Sequence, residues 1–169
     1  MMKLIITILL LSSFISANEH RLLVSGFSKH EKSHDDNGKK FNEFNYGLGY
    51  EYNNFKDYNK AYFAANLSVI KDSYDEWQYT LSASPNIRFE LNQNFSLSLG
   101  VAAFLMYKKD NYKNNVYNDN AEYDLILGAA PLSSLYYKDF SVNMAYVPSA
   151  SFMGIDTIGF VVVYFGYTF

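Results

Sequence analysis

Apolar and polar side chains alternate at every second position along most of this chain, and that pattern admits few folds. Phe44, Tyr46, Leu48, Tyr50 and Tyr52 share one face of a segment whose other face carries Glu43, Asn45, Gly47, Gly49 and Glu51. Phe63, Ala65, Leu67 and Val69 then oppose Ala64, Asn66 and Ser68. Tyr79, Leu81, Ala83, Ile87 and Phe89 oppose Thr80, Ser82, Ser84, Asn86 and Arg88. Phe95, Leu97, Leu99, Val101, Ala103 and Leu105 oppose Ser96, Ser98, Gly100 and Ala102. Phe140, Val142, Met144 and Tyr146 oppose Ser141, Asn143 and Ala145. A period of two belongs to a β-strand, whose successive side chains point to opposite faces. Residues 22–30, 122–137 and 156–169 alternate less cleanly and bring the expected strands to eight.

Soluble barrels also alternate, so the surroundings decide the solvent. The segments run about 9–12 residues, long enough to cross a bilayer at a tilt. Their polar faces are small and hydrogen-bonding, as a narrow barrel interior requires. Their other faces are Phe, Leu, Val and Tyr, and no helix-period segment is available to cover them in water. The 16 Tyr and 14 Phe fit aromatic girdles at two membrane interfaces. Val161, Val163, Phe165, Tyr167 and Phe169 share one face of the last segment, and the terminal aromatic resembles the insertion signal of bacterial outer-membrane barrels. The expected fold is all-β: an eight-stranded antiparallel up-and-down transmembrane β-barrel in the bacterial outer membrane. Connections 91–94 and 138–139 are tight and 53–60 is moderate; 31–41, 72–78, 108–121 and 148–155 are longer. Short turns face the periplasm in such barrels. Both termini are therefore expected there, with the ends of the first and third strands at the outer rim.

The start of the chain supports export. Lys3 precedes an apolar run from Leu4 to Phe14, then Ser16, Ala17 and a polar switch at Asn18-Glu19. This reads as a signal peptide over residues 1–17, too short for a membrane anchor, with one barrel domain over 18–169. No later stretch is apolar enough to span as a helix. With 14 basic and 17 acidic side chains the chain has no nucleic-acid footprint. No cysteine is present, so no disulfide stabilises the exported protein.

Metal clusters, phosphate loops and nucleotide fingerprints are missing from the sequence, and no cofactor is expected. Gly47-Leu48-Gly49 reads as a strand packing device, and Asp35-Asp36-Asn37-Gly38 as a solvated turn rather than a calcium loop. His30 and the pair Asp72-Ser73 stand out by position. Facing places His30 inward at the outer end of the first strand, and Asp72 and Ser73 end the third strand at the same rim. A histidine, a carboxylate and a hydroxyl can then meet there and move a proton from a hydroxyl to a leaving group.

Several motifs resemble, in order, those of the lipid A palmitoyltransferase family. Lys71-Asp72-Ser73-Tyr74-Asp75-Glu76-Trp77 is similar to its Lys-Asp-Ser-aromatic-x-x-Trp segment, the most specific of the matches. Asn42-Glu43-x-x-Tyr46-Gly47-x-Gly49 resembles its second-strand entry, and Asp110-Asn111-Tyr112 its Asp-Asn-Trp. Pro131-Leu132-x-Ser134 and Ala145-Tyr146-Val147-Pro148 resemble its proline-marked sixth and seventh strands. The family's N-terminal amphipathic helix has no counterpart ahead of the first strand. The resemblance implies an eight-stranded barrel that moves a palmitoyl chain from a phospholipid to lipid A. It implies that His30, Asp72 and Ser73 are the functional trio, with His34 competing for the first place. It implies that Pro131 and Pro148 open lateral routes for lipid and that Ser84 floors an acyl pocket. The implied partners are membrane lipids, a phospholipid donor and a lipid A acceptor, and the expected assembly is a monomer.

A second class of function is a non-enzymatic small barrel, acting through its outer loops in adhesion, binding or envelope integrity. An apolar cavity below the rim favours the enzyme; a fully packed polar interior favours the scaffold.

Overall fold

The structure is a computed structural model that describes residues 19–35, 38–56, 60–109, 112–113, 116–117, 122–152, 155–157 and 159–169. The expected signal peptide, residues 1–17, lies outside them. Among the described residues eight strands form: β1 (Glu19–His30), β2 (Gly47–Asn53), β3 (Ala61–Lys71), β4 (Trp77–Glu90), β5 (Phe95–Lys109), β6 (Tyr123–Tyr137), β7 (Phe140–Val147) and β8 (Phe160–Thr168). Each pairs antiparallel with its neighbours in sequence, and β8 closes on β1, so the barrel is up-and-down with no free edge. Two short ribbons, Tyr112–Lys113 with Val116–Tyr117 and Ala150–Phe152 with Ile155–Thr157, stand in the third and fourth outer loops.

The alternation becomes an inside and an outside. Leu48, Leu67, Leu81, Leu99, Leu127, Val142 and Phe165 are exposed on the barrel wall, whereas Ser28, Asn86, Ser98, Ser134 and Asn143 are buried. An outer wall of this kind belongs in lipid, because a closed barrel satisfies its backbone internally and needs no water there. Aromatic side chains ring both ends. Tyr46 meets Trp77, and Tyr107 stacks between Tyr79 and Tyr123 toward the rim. Phe95 with Tyr137, and Phe140 with Tyr167, do so at the opposite end. Phe169 follows β8 at that end, 71% exposed, with its backbone N–H donated to the His20 carbonyl at 3.0 Å.

Facing has a direct test. Leu99 is 48% exposed and its neighbour Ser98 is 1% exposed. Leu99→Arg is expected to cost about 2–4 kcal/mol near the bilayer midplane, and Ser98→Arg to disrupt the interior instead. Reversible urea unfolding in lipid vesicles measures both. A Leu99→Arg barrel as stable as the parent would overturn the facing.

Local irregularities explain where alternation was weak. In β1, Leu22 and Val24 face lipid, but the register with β8 slips between Ser25 and Phe27, and Phe27 takes the next outward place. The extra residue makes a bulge. Gly26 sits in it because a Cβ there would come within 2.8 Å of the Val163 carbonyl oxygen. The second strand begins at Gly47, later than the alternation suggested. Residues 43–45 reach β1 only through isolated links, among them Ser28 N–H to the Glu43 carbonyl at 2.8 Å and Asn45 N–H to the Gly26 carbonyl at 3.2 Å. Gly47 is a packing device as expected, since a Cβ there would collide with the Val69 carbonyl oxygen and the Ile70 backbone. The third outer connection is shorter than expected, because β5 continues to Lys109.

The half of the barrel nearer the chain termini, expected to face the periplasm, is filled. Arg21, 1% exposed, pairs with Glu51 at 2.5 Å, hydrogen-bonds the Ser141 hydroxyl and lies over the Tyr136 ring. Tyr62 bonds Ser98 at 2.8 Å and Tyr136 at 3.0 Å. Arg88 stacks on Tyr136 at 3.7 Å and on Phe55 at 4.2 Å, and pairs with Glu19 at 3.3 Å. Charges buried this deeply persist only when paired and hydrogen-bonded, and here Glu19, Glu51, Tyr136 and Ser141, from four strands, are among the partners.

Candidate active site

The outer half of the barrel is hollow. A cavity of about 780 Å³ runs from the rim to mid-barrel. Its wall includes Ala102, Phe104, Met106, Ile126, Leu132 and Val162, and His30, Asp72 and Ser73 stand at its mouth. The apolar space expected of an enzyme and the packed polar interior expected of a scaffold therefore occupy different halves of one molecule.

His30 is the last residue of β1, paired with Phe160 of β8, and it faces inward. Its ring is clamped between Phe41, at 4.3 Å and nearly parallel, and Phe160 at 5.3 Å. Phe41 is buried and takes the Tyr74 ring on edge. The imidazole is thereby held by stacking, and its Nδ1 is buried without a hydrogen-bond partner among the described residues. Its Nε2 lies 3.0 Å from the Ser73 hydroxyl.

Ser73 is presented by a tight turn that Asp72 builds. Asp72 Oδ1 accepts the backbone N–H of Tyr74 at 2.9 Å and of Glu76 at 3.0 Å. The Asp72 N–H goes to the Glu76 carbonyl at 2.8 Å, and Asp75 takes a positive φ of 66° to close the turn. Asp72 Oδ2 lies 2.9 Å from the Lys108 ammonium. The carboxylate thus serves the turn and Lys108 rather than bonding the imidazole. The Ser73 carbonyl also accepts the Asn42 N–H at 2.8 Å, which ties the first loop to the second.

The remaining candidates separate clearly. His34 is exposed in the first loop and bonds Ser33 at 2.8 Å, away from the cavity. Ser84 is buried and is the last β4 residue toward the periplasm to line the cavity; its oxygens accept the Asn86 amide at 2.9 Å. Pro131 is exposed on β6, and Pro148 directly follows β7. Pairing of β6 with β7 runs only from Tyr137↔Phe140 to Leu132↔Ala145. Above that point β6 pairs with β5 alone and β7 with β8 alone. A proline has no N–H to give a ladder, and Pro131 lies where this one stops. The cavity wall includes Leu132, Ala145, Val147 and Pro148, so the gap borders the cavity. Asp110 and Asn111 lie outside the described residues. The Asp35 turn is closed by the Lys39 N–H to Asp35 Oδ1 at 2.8 Å and by Gly38 at φ 81°. No group of three or more potential metal ligands gathers among the described residues.

Three contributors escaped the sequence reading: Phe41, Phe160 and Lys108. Phe41 is a lone aromatic ending a polar stretch, and Lys108 follows Phe104 and Met106 at spacing two, which are the only signals each offered.

The family model described as antimicrobial peptide resistance and lipid A acylation protein PagP matches residues 11–165. A lipid A acyltransferase PagP of Methylobacillus flagellatus is 30% identical over 135 residues, covering 77% of this chain and 66% of that protein. Among solved structures, Neisserial surface protein A superimposes with a TM-score of 0.51 at 13% identity, covering 89% of this chain and 96% of that one. At that identity the likeness concerns the fold alone.

Proposed function

The chain belongs to the PagP family of lipid A acylation proteins, and from that premise we propose that it transfers an acyl chain from a phospholipid to a lipid A hydroxyl in the bacterial outer membrane. The observation that carries this reading is the cavity of about 780 Å³ lying directly under the His30–Ser73 contact. An acyl chain fills the hollow, and its ester is left at the rim. His30 Nε2 takes the proton from the acceptor hydroxyl as its oxygen attacks the ester carbonyl. The same nitrogen returns a proton to the departing glycerol oxygen, so the ester bond to the donor breaks as the new one forms. Ser73 Oγ, 3.0 Å from that nitrogen, is in reach to hydrogen-bond the reacting ester. Asp72 holds the turn that presents Ser73 and adds negative charge near the imidazole. Pro131 and Pro148 border the gap through which lipid enters from the membrane. No cofactor takes part, and the working unit is a single barrel.

Mass spectrometry of lipid A and phospholipids, with and without expression of this protein, tests the reading. A lipid A species gaining one acyl chain, with matching lysophospholipid, is expected. No product under conditions that disturb the outer leaflet would return the barrel to a scaffold. Depth adds a second readout. Ser84→Met places a larger side chain at the cavity floor and should shift transfer to shorter chains. An unchanged chain-length profile would show that the acyl chain does not reach Ser84.

A further inference from the structure

We propose that Lys108 is the phosphodiester-binding residue of the donor site, holding the phospholipid's headgroup phosphate while its acyl chain lies in the cavity. This rests on the acyltransferase reading in one respect, that the cavity takes the donor's chain.

Charge distribution at the rim singles this residue out. Lys108 is the only lysine or arginine lining the cavity among the described residues. The other rim cations point elsewhere. Lys29 pairs with Glu43 on the exterior, Lys39 lies over the Tyr74 ring at 5.5 Å without lining the cavity, Lys71 lies over Trp77 and beside Asp75, and Lys109 pairs with Glu76. Arg21 and Arg88 are committed to the periplasmic network. Lys108 continues the inward row of Phe104 and Met106, so it stands at the mouth, above apolar wall.

The position suits a phospholipid. With the chain below and the ester at His30 and Ser73, the headgroup phosphate lies a few bonds above the ester, at the level of Lys108. An ammonium has three N–H donors, and the Lys108 ammonium lies 2.9 Å from Asp72 Oδ2 as an ion pair. That contact aims the side chain and leaves two donors for a phosphate oxygen. A neutral residue here would leave an anionic headgroup without a countercharge beside the Asp72 carboxylate.

Binding of two non-transferable lipids to the folded barrel tests this without requiring turnover. 1-O-hexadecyl-lysophosphatidylcholine and 1-O-hexadecylglycerol share chain and ether linkage and differ in the phosphodiester. Titration calorimetry in a neutral detergent should show the wild type binding the first about tenfold more tightly, as one charge-assisted contact requires. Lys108→Gln keeps a polar side chain beside Asp72 but carries no charge, and should bind both lipids alike. Lys108→Arg should restore the preference. Inorganic phosphate alone should not displace the lipid, which separates a headgroup site from a free anion site.

Four outcomes would overturn the proposal: a preference that survives in Lys108→Gln, equal loss of both lipids in that variant, wild type that binds neither lipid, or displacement of the lipid by inorganic phosphate. Equal loss would mark Lys108 as a support for the Asp72 turn. The expected binding pattern in a barrel that yields no acylated lipid A would sink the transferase reading and leave the phosphodiester site standing.

Discussion

His30→Ala, Asp72→Ala and Ser73→Ala are each expected to lower acyl transfer by about a hundred- to ten-thousand-fold, the range that a positioned proton-transfer group supplies. The three side chains meet at one place: Nε2 against Oγ at 3.0 Å, with the carboxylate setting the turn that brings the hydroxyl there. Their effects should be non-additive, because the double variants remove a unit that one substitution has already disabled. His34→Ala should leave transfer unchanged, since that ring is exposed and bonded to Ser33. Single-turnover assays with the folded protein in lipid vesicles, alongside its heat-dependent gel mobility, separate chemistry from assembly. Full activity in any of the three alanine variants would place the reacting atoms elsewhere.

Arg21→Ala is expected to cost about 3–5 kcal/mol, the largest single effect on stability. The guanidinium is 1% exposed and contacts β2, β6 and β7 through Glu51, Tyr136, Ser141 and Asn143. Its removal strands the Glu51 carboxylate, 7% exposed, without its cation. Arg21→Met with Glu51→Leu should recover much of the loss, because an apolar pair leaves no charge uncompensated. Urea titration of the barrel in vesicles gives both numbers. A cost below about 1 kcal/mol, the worth of an exposed pair, would show that water reaches Arg21 and that the periplasmic half is not sealed.

Much of the fold was legible because alternation is a local property. Leu48, Leu67, Leu81 and Phe140 announce their outward facing to their neighbours two positions away, and the structure exposes each of them. Tyr52 is the exception: it continues the outward row of β2 but is buried, with the His20 ring on its edge 6.2 Å away. Its cover comes from another strand, which local alternation does not describe. Ladder limits were similarly hidden. Pro85 sits within β4, where the β4–β5 ladder lapses between Ala83↔Ala103 and Asn86↔Gly100 without a change of register, and nothing in its own segment distinguished it from a strand end.

The site divides along the same line. Residue types and their order are sequence properties, so the Asp72-Ser73 pair at a strand end, the histidine before a long loop and the two prolines were readable directly. The inward facing read for His30 holds in the structure, but the outward row of Leu22 and Val24 is compatible with it only through a one-residue slip at Gly26. That slip lies between Ser25 and Phe27 in the pairing of β1 with β8, a long-range register that local alternation does not describe. The 3.0 Å contact of His30 with Ser73 spans 43 residues, and the meeting of Asp72 with Lys108 joins β5 to the second loop. Whether the interior is hollow or filled depends on side chains summed over eight strands: Ala64, Ala102 and Ala130 leave space at one level, while Arg21, Tyr62 and Tyr136 fill the next. The sequence by itself determined the strands, their outward faces and the candidate residues, because each rests on neighbours in the chain. The tertiary structure alone decided what touches His30 and where the cavity ends, because each depends on register around a closed circle.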